Sequence, residues 1–385
     1  MAEDSFTEQS SEGWGSRIMG SLVGILIGIV MFFGAFPLLI WNEGRAIDTA
    51  RALSEGRSAV VSVKTDTVVP ANDGHLVYVS GQMASRDSLA PPSLLPAPAL
   101  KLKRTVELFQ WTEKEESSTK KELGGSSTTT KTYSYQKAWS DAVVNSASFK
   151  HPEGHGNPAS KPLEDKETQV KAATLGAFQL SDSVLGLLND YQPVPGQALA
   201  ALVRQEVRGS MTMQGEWAYS GNSQQPRLGD VRVSYSYVPL GVASIVARQS
   251  GAMLGPYTTS NGHELLMAEA GTVNADGLFR AEEKANSILT WILRGGGWLA
   301  MLIGITLVLR PLSVLADLIP FLGDLLGMGF FVLAFPISLC LSLVTIAIAW
   351  IAFRPLIGIP LLLVGLAMLV VPVLKRRAAS GKSMA

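Results

Sequence analysis

Residues 18 to 41 read IMGSLVGILIGIVMFFGAFPLLIW, 24 consecutive positions without a charge. At ~1.5 Å of rise per residue the run crosses a ~30 Å hydrocarbon core with allowance for tilt, so it predicts a transmembrane helix. A cleaved signal peptide is the competing reading. Its apolar region would be about 7–15 residues long and end at a small-residue cleavage site, and neither feature fits. Two further runs behave alike: Leu325 to Phe353 gives 29 uncharged residues and Pro355 to Leu374 gives 20. Only Arg354-Pro355 separates them, which reads as a tight turn in a helical hairpin.

Gly295 to Leu309 is shorter, 15 uncharged residues between Arg294 and Arg310. Snorkelling of the flanking Arg side chains, with Trp291 and Trp298 at headgroup depth, lengthens it enough to span. Four spans put both termini on one face. Lys375, Arg376, Arg377 and Lys382 follow the last span without a nearby acid and mark that face as cytoplasmic. With three spans the termini would lie on opposite faces.

The expected organisation is a cytoplasmic tail (1–17), a first span (18–41), an extracytoplasmic domain (42–290) and a second span (291–310). A cytoplasmic interfacial segment (311–327), a third span (328–353), a fourth span (355–374) and a basic cytoplasmic tail (375–385) complete it. Charge follows the same division. Asn42 to Leu293 holds 50 of the charged residues in 252 positions, whereas the other 133 positions hold 14. This excludes a wholly soluble enzyme. The balance of 32 basic and 32 acidic residues leaves no electrostatic footprint for nucleic acid.

Strand signals dominate the domain: Ala59 to Val63, Leu76 to Val79, Lys101 to Thr112, and Thr132 to Gln136 beyond a charged, Gly/Ser/Thr-rich stretch read as a long mobile hairpin tip. A second hairpin is expected from Val231 to Val238 through Pro239-Leu240-Gly241 to Ser244–Arg248. Helical patches occur at 184–188, 198–203 and about 278–293. The fold class is therefore α+β: four transmembrane helices and a large, predominantly β extracytoplasmic domain. The single cysteine, Cys340, lies in the third span, so the domain holds no disulfide.

Local motifs for chemistry are missing: no HExxH, no Gly-x-Ser-x-Gly elbow, no phosphate loop and no dinucleotide fingerprint. His151 and His155 are four apart, but Pro152, Gly154, Gly156 and Pro158 argue against the helix that would pair them on a metal, leaving solvated or hydrogen-bonded loop histidines. No cofactor or metal is expected, and an enzyme would need a dispersed site, with His155, Asp230 and Arg248 as groups to watch. Arg310, Asp317 and Asp324 recur every seven residues and form one stripe if helical, either a polar seam or the wet face of a surface helix. Pro320 would break or bend that helix. Ser338, Ser342 and Thr345 share a face of the third span, where small polar residues either glue helices or line a path. Arg45, Arg57, Arg294 and Trp298 read as headgroup anchors or helix-end caps.

Taken together, many stretches resemble the transmembrane protein 43 (LUMA) family. They include Trp41-Asn-Glu-Gly-Arg-Ala46, Val106-Glu107 with Gln110-Trp111, Tyr133-Ser-Tyr135 with Trp139, and His155-Gly-Asn-Pro158. Gly229-Asp-Val-Arg-Val-Ser234 and Ala247-Arg-Gln249 follow. The densest run is Asn286-Ser287, Thr290-Trp291, Leu293-Arg294 and Gly297-Trp298, on through Arg310, Asp317, Pro320 and Asp324 to Phe353-Arg-Pro-Leu356. The resemblance implies four spans with both tails cytoplasmic, self-association, and organisation of membrane protein or lipid assemblies without established catalytic residues. It implies the endoplasmic reticulum or inner nuclear membrane for a eukaryotic chain. The Ala- and Gly-rich composition points to a bacterial member, for which the cytoplasmic membrane is expected. A transporter or channel, and an envelope enzyme, are the alternatives. The expected partners are the lipid bilayer, further copies of the chain and other membrane proteins.

Overall fold

The computed structural model describes residues 4–91, 94–206, 210–353, 359–360 and 363–364. In chain order the elements are β1 (Asp4–Glu12), α1 (Trp14–Ala59), β2 (Val61–Ser62), β3 (Leu76–Ala84), β4 (Ala99–Lys121), β5 (Ser127–Ser140), β6 (Lys166–Gln169), β7 (Ala173–Leu175) and β8 (Phe178–Leu180). There follow α2 (Asp182–Leu187), β9 (Gln192–Pro193), α3 (Gly196–Glu206), β10 (Thr212–Gln214), β11 (Trp217–Tyr219), β12 (Val231–Pro239), β13 (Val242–Ser250) and β14 (Met253–Gly255). The last are β15 (Tyr257–Thr258), β16 (Glu264–Leu265), β17 (Met267–Ala270), α4 (Ala275–Ala316) and α5 (Pro320–Phe353). The chain forms two compact units, one of residues 1–7, 52–116 and 132–281, the other of residues 8–51, 117–131 and 282–385.

The first unit is α+β. Its larger sheet runs β1-β5-β4-β12-β11-β10, with β6 added to β4 and β9 to β12. Alternation sets its buried face: Val231, Val233, Tyr235 and Tyr237 of β12 point inward with Leu102, Val106 and Leu108 of β4, and α3 covers them with Leu199, Leu202 and Val203. The spacing of these α3 residues puts them on one helical face. The second sheet runs β17-β13-β14-β8-β7-β3-β2. Val79 lies opposite Ile245 and Val77 opposite Ala247 across β3 and β13. These residues pack with Leu175, Phe178, Leu254 and, from α2, Val184 and Leu185. Ser181 caps α2 by accepting from the Val184 N–H.

Two strand expectations change. The predicted hairpin of residues 231–248 does not form, because β12 pairs with β4 in one sheet while β13 pairs with β3 in the other. Pro239 has no N–H to continue a ladder, the register shifts at Val238/Pro239, and the turn passes the chain from sheet to sheet. The predicted mobile tip is strand: β4 and β5 extend to Lys121 and back from Ser127. Their turn uses Gly124 and Gly125 at φ +87° and +82°. Thr- and Ser-rich strand with both faces polar carries no period-two hydrophobic signal, so periodicity does not reveal it.

The second unit is built on α1, α4 and α5, the three helices among the described residues that are long and apolar enough to cross a membrane. The expected fourth span (355–374), Arg354 and the basic tail lie largely or wholly outside the described residues. The expected interfacial segment (311–327) is helix, turn and helix, with the break next to Pro320. Helix α4 continues through Pro311 to Ala316, residues 317–319 turn, and Pro320 opens α5, a position where its missing N–H costs nothing. Arg310, Asp317 and Asp324 therefore sit on a helix, a turn and the next helix rather than on one stripe.

Helices α1 and α4 meet backbone to backbone. A Cβ built on Gly28 would lie 2.7 Å from the Gly304 carbonyl oxygen, and one on Gly304 would lie 2.7 Å from the Gly28 oxygen. Small residues at this crossing permit the close approach that drives helix association in lipid. Leu39 fills the neighbouring space over Gly297. On α5, Ser338, Ser342 and Thr345 are buried, with Ser338 accepting from the Trp298 indole N–H at 3.1 Å. Met19, Leu26, Val30 and Phe33 of α1, and Phe321, Met328 and Val332 of α5, are exposed large apolar groups, as lipid-facing surfaces require.

Gly28→Val is expected to force α1 from α4 and lower the thermal midpoint in detergent, whereas Gly20→Ala, with nothing within 4 Å of its added Cβ, leaves it unchanged. Equal midpoints for wild type and Gly28→Val would refute the backbone contact.

Candidate functional site

Two polar clusters of the helical unit gather most of the residues singled out in the sequence. The first centres on Glu43, one residue beyond Asn42 on α1 and only 1% exposed. Its Oε1 accepts from Arg294 Nε at 2.7 Å and its Oε2 from Arg294 Nη2 at 2.8 Å, a two-pronged pair between α1 and α4. Trp350 of α5 donates its indole N–H to the same Oε2. The Arg294 guanidinium lies over the Trp291 ring at 4.8 Å and the Trp350 ring at 5.4 Å. One carboxylate and one guanidinium thus tie three helices.

Arg45 extends the cluster. Its Nη1 donates to Asn286 Oδ1 at 2.9 Å and its Nη2 to Thr290 Oγ1 at 3.1 Å. Asn42 donates to the Thr290 carbonyl, and Asn286 returns a bond to the Ala46 carbonyl. Arg45 is accordingly an interhelical tie. Trp298 likewise faces α5, where it bonds Ser338 and meets Phe335 edge-on at 5.3 Å, so it is not the expected headgroup anchor. Trp291 is 66% exposed and keeps the anchor geometry. Arg57 belongs to the β-rich unit, where its Nε pairs with Asp276 at 3.5 Å and its guanidinium lies over Phe279.

The second cluster surrounds Asp317 in the α4–α5 turn. This carboxylate, 1% exposed, accepts from Arg17 Nη2 at 2.5 Å and from Lys121 Nζ at 2.9 Å. Lys121 reaches Asp324 as well, at 2.6 Å. Burial works against the Lys121 charge, but its hydrogen bonds to Asp324 and Asp317 hold the ammonium above the usual lysine range. Main-chain and indole bonds complete the grip: Arg17 to the Gly125 carbonyl, Gly124 N–H to the Leu318 carbonyl, and Trp14 to the Val314 carbonyl.

Arg17 and Glu43 are 26 residues apart on α1, ~39 Å of helix, and Arg294 and Asp317 are 23 apart along α4, ~35 Å. The spacing is close to one hydrocarbon thickness, and the Gly28–Gly304 contact falls near its middle. The clusters bracket a segment without ionisable groups on α1 between Ile18 and Trp41.

Glu43, Arg17, Lys121 and Trp350 were not among the residues selected from sequence. The available signal for Glu43 was an acid directly after an apolar run, matched by an Arg at the mouth of another. Lys121 lay in a stretch read as solvent-exposed. It also bears on the expected sidedness. Strand β1, from the expected cytoplasmic tail, pairs with β5, and Lys121 pairs with Asp317, although the sequence reading places those partners on opposite membrane faces.

In the β-rich unit His155 is a hydrogen-bonded loop histidine, one of the two states expected for it, and is buried as well. It is stacked on Tyr135 at 4.0 Å and set edge-on to Trp111 at 4.8 Å. Its Nε2 meets Asp4 Oδ2 at 3.0 Å and its Nδ1 the His151 carbonyl at 2.9 Å. Burial and a hydrogen bond to Glu113 push the Tyr135 hydroxyl up to about 12. Asp230 instead accepts from the Arg227 N–H, and Arg248 lies on β13 in the other sheet, so these groups do not converge with His155. No group of three or more metal-ligating side chains occurs among the described residues.

Removal of one partner from a buried ion pair strands the other, so Glu43→Ala is expected to destabilise the helical unit by up to ~3 kcal/mol, read as a lowered unfolding midpoint in detergent. Adding Arg294→Met recovers part of the loss. A wild-type midpoint in Glu43→Ala would remove the pair from its central role. Sidedness is read separately by cysteine labelling. With β1 on β5, Ser10→Cys and Leu123→Cys react with an impermeant maleimide from the same face of sealed vesicles; opposite faces would restore the sequence reading.

The family model described as Transmembrane protein 43 matches residues 108–355. Mouse transmembrane protein 43 is 36% identical over 363 residues, covering 91% of this chain and 89% of its own. The human protein is 34% identical over 386 residues, covering 97% and 94%, and the Drosophila homolog 31% over 352 residues, covering 88% and 91%. No solved structure matches. With a family model over more than half its length and relatives above 30% identity along nearly all of it, the chain belongs to the transmembrane protein 43 family.

Proposed function

We propose that the protein is a membrane-embedded scaffold: a helical bundle that holds a β-rich domain at the bilayer and organises membrane protein or lipid assemblies through it. The observation that carries this reading is the commitment of Glu43. Both of its oxygens are spent on Arg294 and Trp350 between helices, so a fully buried acid of the bundle holds the helices together instead of lining a path. The apolar run of α1 supplies no ionisable relay, and the polar groups of α5 bond back to their own helix, as Thr345 does to the Leu341 carbonyl. This favours an anchor over a transporter.

The domain offers a face suited to partners. On the sheet surface away from α3, Arg232 lies between Trp139 at 4.9 Å and Trp217 at 4.4 Å and pairs with Glu107, with Phe109 and Tyr219 beside Trp139. Aromatic side chains and Arg are the residues that interfaces enrich. The same arrangement serves as cross-strand packing in a solvated sheet. Membrane residence follows the host: the cytoplasmic membrane in a bacterium, the endoplasmic reticulum or inner nuclear membrane in a eukaryote.

Crosslinking in native membranes followed by mass spectrometry is expected to return intermolecular links from Lys137 near this face, to copies of the chain or to other membrane proteins, and Trp139→Ala with Trp217→Ala to reduce them severalfold. Purified protein in sealed vesicles is expected to conduct no ions. Flux that disappears in Glu43→Gln would overturn the scaffold reading in favour of transport.

A further inference from the structure

Arg310 is a charged residue of the apolar part of α4 that neither cluster engages. It is exposed near the end of α4, and it has neither an ion pair nor a side-chain hydrogen bond among the described residues, whereas Arg17 and Lys121 are spent on Asp317 and Asp324. It stands where two cavities meet. One, of about 240 Å³, is a largely apolar groove between α4 and α5 lined by Ile303, Leu307 and Phe330. The other, of about 490 Å³, is polar, with Ser21, Thr119 and Thr129 on its walls and Glu12 facing into it. Glu12 accepts a bond from Ser16 but has no cationic partner among the described residues.

We propose that these two cavities, which share Arg310 in their walls, hold one glycerophospholipid with an ethanolamine headgroup. The chemistry of the walls selects it. Arg310 presents a fork of donors suited to a phosphodiester. Glu12 presents a carboxylate to a primary ammonium, and of the Thr119 and Thr129 hydroxyls, which bond each other, one keeps a proton to donate to an ester oxygen. The groove from Arg310 to Ile303 follows α4 for seven residues, ~10 Å toward the middle of the apolar slab, the course of an acyl chain below a phosphate held at Arg310. One unspent cation and one unspent anion in the same polar cavity match a zwitterion. A glycerol headgroup leaves Glu12 without a counter-charge, and a choline headgroup has no N–H to donate to it. The proposal rests on the membrane reading of α1, α4 and α5.

The test reads the lipid that stays with the protein. Full-length protein is reconstituted from equal mixtures of dioleoyl phosphatidylethanolamine, phosphatidylcholine and phosphatidylglycerol, repurified in detergent, and its retained lipid measured by mass spectrometry. Wild type is expected to retain the ethanolamine lipid about tenfold over the other two, the worth of one or two charge-assisted hydrogen bonds. Arg310→Gln is expected to lose retention of all three. Glu12→Gln is expected to keep phospholipid but lose the preference for ethanolamine. Equal retention of the three headgroups by wild type, or an unchanged preference in Glu12→Gln, overturns the proposal. Carbonate extraction of the same membranes separates the two levels: release of the protein defeats the membrane reading itself, while a membrane-retained protein without headgroup preference defeats the lipid site alone.

Discussion

The ion pair between Glu43 and Arg294 is the constraint on which the helical unit turns. A carboxylate and a guanidinium withdrawn from water carry a desolvation cost of several kcal/mol per ion, recovered only when geometry is good and remaining valences are filled. Both conditions hold, since each Glu43 oxygen has a donor and Trp291 and Trp350 flank the guanidinium. Apolar contacts alone do not specify how greasy helices rotate against each other in lipid, because lipid tails are as apolar as leucine. A two-pronged polar contact does. It fixes α1, α4 and α5 in register, and Asn42, Arg45, Asn286 and Thr290 repeat the restriction one turn away.

The Asp317 cluster acts differently. It closes a turn, with Arg17 and Lys121 approaching one carboxylate from separate segments. A buried acid with two cationic partners is held from two directions, so the α4–α5 connection is restrained although it is short and lies at the end of two long helices. The side chains nearest it are consistent with tight packing: a Cβ on Gly323 would fall on the Asp317 carboxylate.

Hydropathy made the apolar helices of the described chain legible, and β alternation revealed the inward face of β4. Both signals come from local transfer energies repeated at a fixed period. What stayed hidden depended on partners distant in sequence. Glu43 looks like any acid after a membrane run until Arg294, 251 residues later, is beside it. The tip of β4 and β5 is polar on both faces, and β1 contributes a strand from a tail of Ser, Thr and Glu. The seven-residue recurrence of Arg310, Asp317 and Asp324 misled because a turn interrupts the helix the period assumes. The β12–β13 link misled because a proline turn looks the same whether it closes a hairpin or moves the chain between sheets.

The contact of Gly28 with Gly304 has a thermodynamic corollary. Neither partner owns a rotatable side chain, so drawing the two main chains together freezes no rotamers, and what opposes closure is only the ordering of the rods themselves. Such a junction gains its strength from dispersion and dipole contact across bare peptide groups. Only the flanking Phe32, Leu307 and Val308 contribute side chains to the seam, so the two glycines themselves add no rotamer cost to its closure.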